Sequence, residues 1–314
     1  MDRGKIMSET EKKQKKTPVR LTLPEEEIMS PGHLACQGCG AAMAMRYALK
    51  ALGPKTITSI PACCWAVIDG PFPYSAAGIP IYHSAFETAA STASGISHAL
   101  SQLHRDDVTA LAWAGDGGTF DIGLQSLSGA AERGDNLIYI VYDNEAYMNT
   151  GIQRSSATPH GAWTTTTPVK HYKKGRKKNI MEIMVAHHIP YCATASIAYP
   201  EDLVKKLKKA RGITGTKFIH LYAPCPTGWK HPPGITVKVA RLATETNVFP
   251  LYEVEEGIYH INKKIKNPKP VTDYLKIQGR FRHLTEEEAA YIQDQVDKSW
   301  QRILMLEKAF GKTE

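Results

Sequence analysis

Residues 108–149 read VTALAWAGDGGTFDIGLQSLSGAAERGDNLIYIVYDNEAYMN. Residues 108–114 form a continuous apolar run of strand length, and residues 136–142 form a second. Between them, Gly115 to Gly118 read as a tight turn and residues 122–132 as a helix. The pattern predicts one βαβ unit, whose parallel strands end on the same edge of a sheet. Asp116 and Asn144 then leave neighbouring strand ends and face one another despite their separation in sequence. One carboxylate, one amide oxygen and a backbone carbonyl at Ala146 are the hard donors that Mg2+ takes, with phosphate and water completing its octahedron. Gly115, Gly117 and Gly118 lack Cβ atoms and let backbone N–H groups approach phosphate oxygens where the helix opens. A bare Gly-Asp-Gly also suits an ordinary strand-to-helix turn; the second strand and Asn144 weigh toward a diphosphate site.

Six cysteines form a second constellation: Cys36, Cys39, Cys63, Cys64, Cys192 and Cys225. Cys36 and Cys39 make a C-x-x-C, Cys63 and Cys64 are adjacent, and Cys225 precedes Pro226. Four thiolates suit one soft metal centre. Zinc accepts cysteine alone, but its structural sites usually come as close knuckles within a compact segment, whereas the last ligand here is distant. A 4Fe-4S cluster takes a distant fourth thiolate with proline beside it. A zinc-stabilised interaction or nucleic-acid-binding protein, or a reduced protein with scattered buried thiols, stays open at this point. Cys192, within the apolar stretch IPYCATAS, reads as core.

A Gly-Asp-Gly turn followed one strand later by Asn resembles the diphosphate-binding motif of thiamine diphosphate enzymes. The segments HLACQGCG, IYHSAFETAASTASGI, AGDGGTFDIGLQSLSGAAERG, YDNEAYMNTGIQRSSATPHGAWTT and APCPTGW follow in order within residues 33–229. Together they resemble the β subunits of the 2-oxoacid:ferredoxin oxidoreductases. The resemblance implies an α/β fold: a doubly wound, mostly parallel sheet of the thiamine diphosphate-binding type, with N- and C-terminal extensions. It implies 4Fe-4S ligands at Cys36, Cys39, Cys64 and Cys225, and Mg2+ ligands at Asp116, Asn144 and the Ala146 carbonyl. It also implies that Asn149 lies beside the reactive thiazolium and substrate, and that Ser84 lies near the cofactor ring. Where pyruvate-type relatives carry Thr-Gly-Cys, this chain carries Ala62-Cys63-Cys64, so Cys63 competes for the third cluster position. Trp65 follows, and an indole near the cofactor would narrow the pocket. The expected substrate is therefore small: oxalate, oxidised to CO2, with pyruvate and coenzyme A as the alternative.

Arg154, just beyond Asn149, is a candidate for gripping a substrate carboxylate through paired hydrogen bonds, with a loop salt bridge as the equal alternative. In the family the glutamate that activates the aminopyrimidine belongs to a pyrimidine-binding α-type subunit, so Glu87 is not given that role. The implied partners are that subunit, a ferredoxin-like cluster subunit and an acidic ferredoxin as acceptor, in an anaerobic cytoplasm.

At 314 residues with 42% hydrophobic content, the chain is long enough to bury a large core. No apolar run approaches the roughly 20 residues of a membrane helix, and no signal-peptide pattern is read, so no membrane partner is expected. Residues 1–30 read as an exposed arm or a clasp on a partner subunit. Residues 31–230 read as the thiamine diphosphate-binding domain with its cysteines, and residues 231–314 as an extension for subunit contacts. The net charge of +8 is unevenly placed, with one run at residues 205–211 read as the polar face of a helix and another, KHYKKGRKK at residues 170–178, read as a basic surface loop or a dock for an acidic carrier, an anionic substrate or nucleic acid. No nucleic-acid module or aromatic stacking pattern accompanies it. Further strands are expected at 55–60, 189–196 and 217–222, and helices at 86–103, 200–211 and 285–310. The Pro-rich stretch after Trp229 reads as irregular. His33, His83, His98 and His160 read as structural, with His83 the better catalytic candidate.

Overall fold

A computed structural model of the chain describes residues 22–311. Its sheet is built from β1 (Thr56–Pro61), β2 (Ile81–Ser84), β3 (Thr109–Gly115), β4 (Ile138–Asp143), β5 (Tyr191–Ser196), β6 (Lys217–Tyr222), β7 (Tyr252–Glu255) and β8 (Ile258–Ile261). Their order is β2-β1-β3-β4-β6-β5-β7-β8. Pairings from β2 to β5 are parallel, while β7 and β8 close that end as an antiparallel hairpin. Helices α1 (Gly40–Leu52), α2 (Trp65–Ile68), α3 (Ala89–Gln102) and α4 (Leu124–Arg133) belong to the first half. They are followed by α5 (Ile180–Val185), α6 (Pro200–Arg211) and α7 (Pro226–Trp229), then α8 (Thr236–Glu245), α9 (Val271–Lys276) and α10 (Glu286–Phe310).

The central strands are apolar throughout because both of their faces are covered. Leu111, Trp113, Ile138, Ile140, Ile219 and Leu221 pack in one layer with residues of α1 and α6. Their neighbours Ala110, Ala112, Tyr139, Val141 and Phe218 point the other way, into a layer with α3, α4 and α5. Each large side chain fully buried in this way contributes about 2 kcal/mol relative to exposure. The register pairs Gly115 with Tyr142, so Asp116 and Asn144 emerge from adjacent strands at one edge, as the βαβ reading requires.

Two expectations change. Residues after Gly115 make no open turn: Asp116 is already helical, and Gly117–Ile122 form a wide π turn that runs into α4. Such one-turn widenings recur at functional sites, and this one has Thr119 Oγ1 donating to the Gly115 carbonyl at 2.9 Å. The stretch after Trp229 is not irregular. It supplies α8, α9 and the β7–β8 hairpin, whose Glu256-Gly257 turn has φ of 49° and 79°. That geometry is the type I′ turn matched to strand twist, and the alternating YEVE and IYHI around it were the signal, masked by surrounding prolines. The expected long C-terminal helix is α10, opened by a Thr285–Glu288 capping box.

Residues 1–21 of the expected arm lie outside the described residues. Its described remainder lies on the chain's own helices: Glu27 pairs with Arg46 of α1 at 2.6 Å, and Thr22 donates to Glu201 of α6 at 2.8 Å.

Candidate active site

A cavity of about 270 Å3 opens where β3 and β4 end. Gly115, Asp116, Gly117, Gly118, Asn144, Ala146 and Asn149 all line it, together with Cys63 and Cys64. At Gly117 a Cβ would stand 2.3 Å from the Tyr147 ring, so only a glycine lets that aromatic wall close on the turn. Ser84 lies apart, in a neighbouring recess with His83 and Thr88. Arg154 is exposed, and its backbone N–H donates to Thr166 Oγ1 at 2.9 Å.

Asp116 is completely buried, and Ser155 Oγ donates to its Oδ2 at 2.5 Å. Burial, reinforced by the negative charge of Asp143, holds the Asp116 carboxyl well above the usual range. One end of the Asn144 amide stands 3.0 Å from both Asp116 Oδ1 and the Ala146 carbonyl oxygen. With nitrogen inward the amide donates to both; with oxygen inward three oxygens converge, an arrangement that a hard cation would stabilise. The donor set therefore fits Mg2+.

The turn that carries Asn144 and Ala146 is tightly held. Glu145 adopts a φ of 65°, its N–H donates to Asp143 Oδ1 at 3.0 Å, and its carbonyl accepts from Thr158 Oγ1 at 2.7 Å. Lys177 bonds to Asp143 and, at 2.8 Å, to Glu145, while His220 Nε2 meets Asp143 at 2.7 Å. Burial alone would raise Asp143; Lys177 and His220 outweigh it and hold the carboxyl at about 2. The basic run is thus not simply a surface loop: Lys173 donates to the Ser156 and Thr158 carbonyls, and Lys178 to that of Phe120.

Five of the six cysteines come from three segments. Cys36 and Cys39 precede α1, Cys63 and Cys64 follow β1, and Cys225 caps α7 with its Sγ accepting from Gly228 N at 3.4 Å. Backbone bonds tie these segments together, from Gly40 N to the Pro224 carbonyl at 3.2 Å and from Trp65 Nε1 to the Ala41 carbonyl at 3.0 Å. Burial pushes the thiols of Cys39 and Cys64 up, and that of Cys225 to about 11. Neighbouring thiols add to this, since Cys64 feels Cys63, Cys225 and Cys39, and Cys225 feels Cys39 and Cys36. Cys63 instead turns toward Tyr142 and the Gly115 backbone. No group of three or more His, Cys, Asp or Glu among the described residues is spaced to hold a single ion. The thiols of Cys36, Cys39, Cys64 and Cys225 lie within electrostatic reach of one another and are the soft donors that an iron-sulfur cluster takes. Cys192 is buried core, as expected.

Trp65 does not narrow the cavity. It is fully buried, edge-on to Trp113 at 6.2 Å, and absent from the cavity wall, which removes the steric reason for preferring oxalate. None of the four histidines lines the cavity either: His83 pairs with Asp69 and His98 with Asp135, each at 3.1 Å, His160 meets the Lys174 carbonyl at 2.9 Å, and His33 accepts from Ala35 N. Sequence reasoning passed over Ser155, Lys177, His220 and Arg280. Ser155 stood inside a motif already singled out and Lys177 inside the basic run at 170–178, whereas His220 and Arg280 carried no local signal.

Residues 69–221 match the C-terminal thiamine pyrophosphate-binding domain of thiamine pyrophosphate enzymes. The ketoisovalerate oxidoreductase subunit VorB of Pyrococcus abyssi is 54% identical over 302 residues, covering 93% of this chain and 97% of that one. The pyruvate synthase subunit PorB of Methanothermobacter thermautotrophicus is 53% identical over 286 residues, covering 90% and 99%. A 2-oxoglutarate:ferredoxin oxidoreductase from Magnetococcus marinus superposes with a TM-score of 0.55 at 21% identity, over 70% of this chain and 80% of that one, and shows a shared fold. Sheet, cavity and relatives together define a thiamine diphosphate-dependent oxidoreductase subunit. More particularly, the chain belongs to the β subunits of the 2-oxoacid:ferredoxin oxidoreductases, components of multi-subunit enzymes. The names of these relatives favour the pyruvate-type alternative over oxalate. Membership of an enzyme family also sets aside the zinc-stabilised binding module. Among the described residues no helix is long and apolar enough to cross a membrane.

Proposed function

We propose that the complex containing this chain oxidatively decarboxylates a short 2-oxoacid, pyruvate or a branched homologue such as ketoisovalerate, and passes the electrons to ferredoxin. The observation that carries this reading is the shared wall: Cys64 lines the same cavity as Asp116, Asn144 and Asn149. When bound, thiamine diphosphate supplies a nucleophilic carbon and a sink for the electron pair left by CO2, and a 4Fe-4S cluster supplies a one-electron acceptor. Asp116, Asn144 and the Ala146 carbonyl would hold Mg2+, with Ser155 occupying one Asp116 oxygen and leaving the other for the cation. The backbone at Gly117 and Gly118 would meet the diphosphate. Cys36, Cys39, Cys64 and Cys225 would hold the cluster, while Cys63 lies beside Tyr142. Asn149 lines the cavity and would meet the cofactor ring or substrate. Arg154 and Ser84 would meet substrate or a partner from outside it. The partners are a pyrimidine-binding α-type subunit, a ferredoxin-like cluster subunit and ferredoxin, in the cytoplasm.

The test is the complex purified without oxygen and supplied with pyruvate, ketoisovalerate or oxalate, each with and without coenzyme A, while viologen reduction is followed. The expected result is reduction by a 2-oxoacid that requires coenzyme A. Reduction by oxalate alone, with both 2-oxoacids inert, would overturn the proposal.

A further inference from the structure

The turn from Asp143 to Ala146 is anchored from behind by residues that lie outside the cavity. Trp229 is buried, and its Nε1 donates to the Asn144 carbonyl at 2.7 Å. The Arg280 guanidinium lies over the Trp229 ring, 3.8 Å from its centroid. The same guanidinium pairs with Glu145 Oε2 at 2.6 Å, with both side chains only 3% exposed. Gln278 Oε1 accepts from Arg280 Nε at 3.0 Å and fixes the plane of the group. A planar cation that must both stack and pair is a role for arginine, which lysine fills poorly.

Trp229 also reaches the cysteine side. It ends α7, its backbone N–H donates to the Cys225 carbonyl at 2.9 Å, and the helix in between is four residues long. One residue thus touches the residue before the metal turn's left-handed step and the cysteine that begins its own helix. A change of register at either end is passed to the other through a short, buried element.

We propose that Trp229, locked by Arg280, is a positioning residue that fixes Asn144 relative to Cys225, so that one rigid strut aligns the diphosphate corner and the thiol group. The inference rests on the cofactor site proposed above. Residues that orient a metal ligand without touching the metal typically tune its affinity by about ten- to a hundredfold. Loss of the Trp229 N–H leaves the buried Asn144 carbonyl without that donor, and its turn is freed to shift.

The experiment compares Trp229→Phe, Arg280→Met, Arg280→Lys and Asp116→Ala in the full multi-subunit complex, purified without oxygen. Three quantities are read: the dissociation constant of thiamine diphosphate at saturating Mg2+, the electron paramagnetic resonance spectrum of the reduced complex, and the melting temperature. Trp229→Phe is expected to weaken thiamine diphosphate about tenfold and to alter the resonance at unchanged iron content, with little change in melting temperature. Arg280→Met should weaken the cofactor and alter the resonance likewise, with a lower melting temperature because buried Glu145 loses its cation, and Arg280→Lys should recover part of both losses. Unchanged affinity and spectrum in Trp229→Phe and Arg280→Met, alongside cofactor loss in Asp116→Ala, would overturn the strut alone. Retention of cofactor by Asp116→Ala would overturn the site itself and the strut with it. An affinity loss in Trp229→Phe that merely tracks a collapse in its melting temperature would reduce Trp229 to a core residue and also overturn the inference.

Discussion

Asp116 accepts a bond from Ser155, yet burial and then the charges of Asp143 and Glu145 disfavour its ionised form, a cost that a bound cation would offset. Asp116→Ala is therefore expected to weaken thiamine diphosphate by at least about a hundredfold while the empty complex melts within a few degrees of the parent. Calorimetric titration checks the first and a thermal scan the second; full cofactor content in the variant would refute the magnesium corner. Gly40 tests the other pocket. A Cβ there would stand 2.5 Å from the Pro224 carbonyl oxygen and 2.8 Å from Ala223 C, both backbone atoms with little room to move. Gly40→Ala should push the Cys39 loop away from Cys225 and lower iron per complex, a loss read by metal analysis. That Asp116 and Asn144 would meet was legible from their places at two strand ends, whereas Cys36, Cys39, Cys64 and Cys225 were grouped by resemblance to relatives because Cys225 is remote in sequence. Lys177, Trp229 and Arg280 were not, because their meeting depends on segments that only the tertiary fold brings together.

Strands rather than turns were the easiest elements to read. The apolar runs of β3 to β6 are buried on both faces, and no other structure covers such runs so fully. Short β7 and β8 escaped because their half-buried alternation is weak and is framed by prolines. Lys217 opens β6 and departs from its strand's apolar character. It is buried, donates to Asn136 Oδ1 at 2.7 Å, and burial pulls its ammonium from 10.5 down to about 8. Between those values the unfolded chain binds the extra proton, so stability rises with pH there and is lost as pH falls through about 8. At pH 7 the full penalty is present. Lys217→Met should then be more stable than the parent at pH 7 by about 2 kcal/mol, after allowance for the lost hydrogen bond. Denaturant melts at pH 7 and pH 10 test this; a variant no more stable at pH 7, or with the parent's pH slope intact, would refute it.

Over the whole molecule, the segment 170–178 ties the sheet edge to the C-terminal region. Lys177 reaches Asp143 and Glu145, and Glu145 in turn is paired with Arg280. Lys177→Met leaves buried carboxylates short of a cation and is expected to lower stability by about 3 kcal/mol. Lys174→Met, at an exposed position in the same run, should change it by no more than about 0.5 kcal/mol. Equal effects in denaturant melts would show that the run is a solvated loop after all. Periodicity and composition revealed the architecture, but they could not reveal which lysines of a basic run point inward, because side-chain direction there follows irregular backbone. Several of these cations already answer carboxylates and carbonyls of their own chain. A negatively charged visitor therefore senses a milder attraction along this rim than its string of letters suggests, and the remaining outward groups, Lys170, Lys174 and Arg176, are the ones left to guide it.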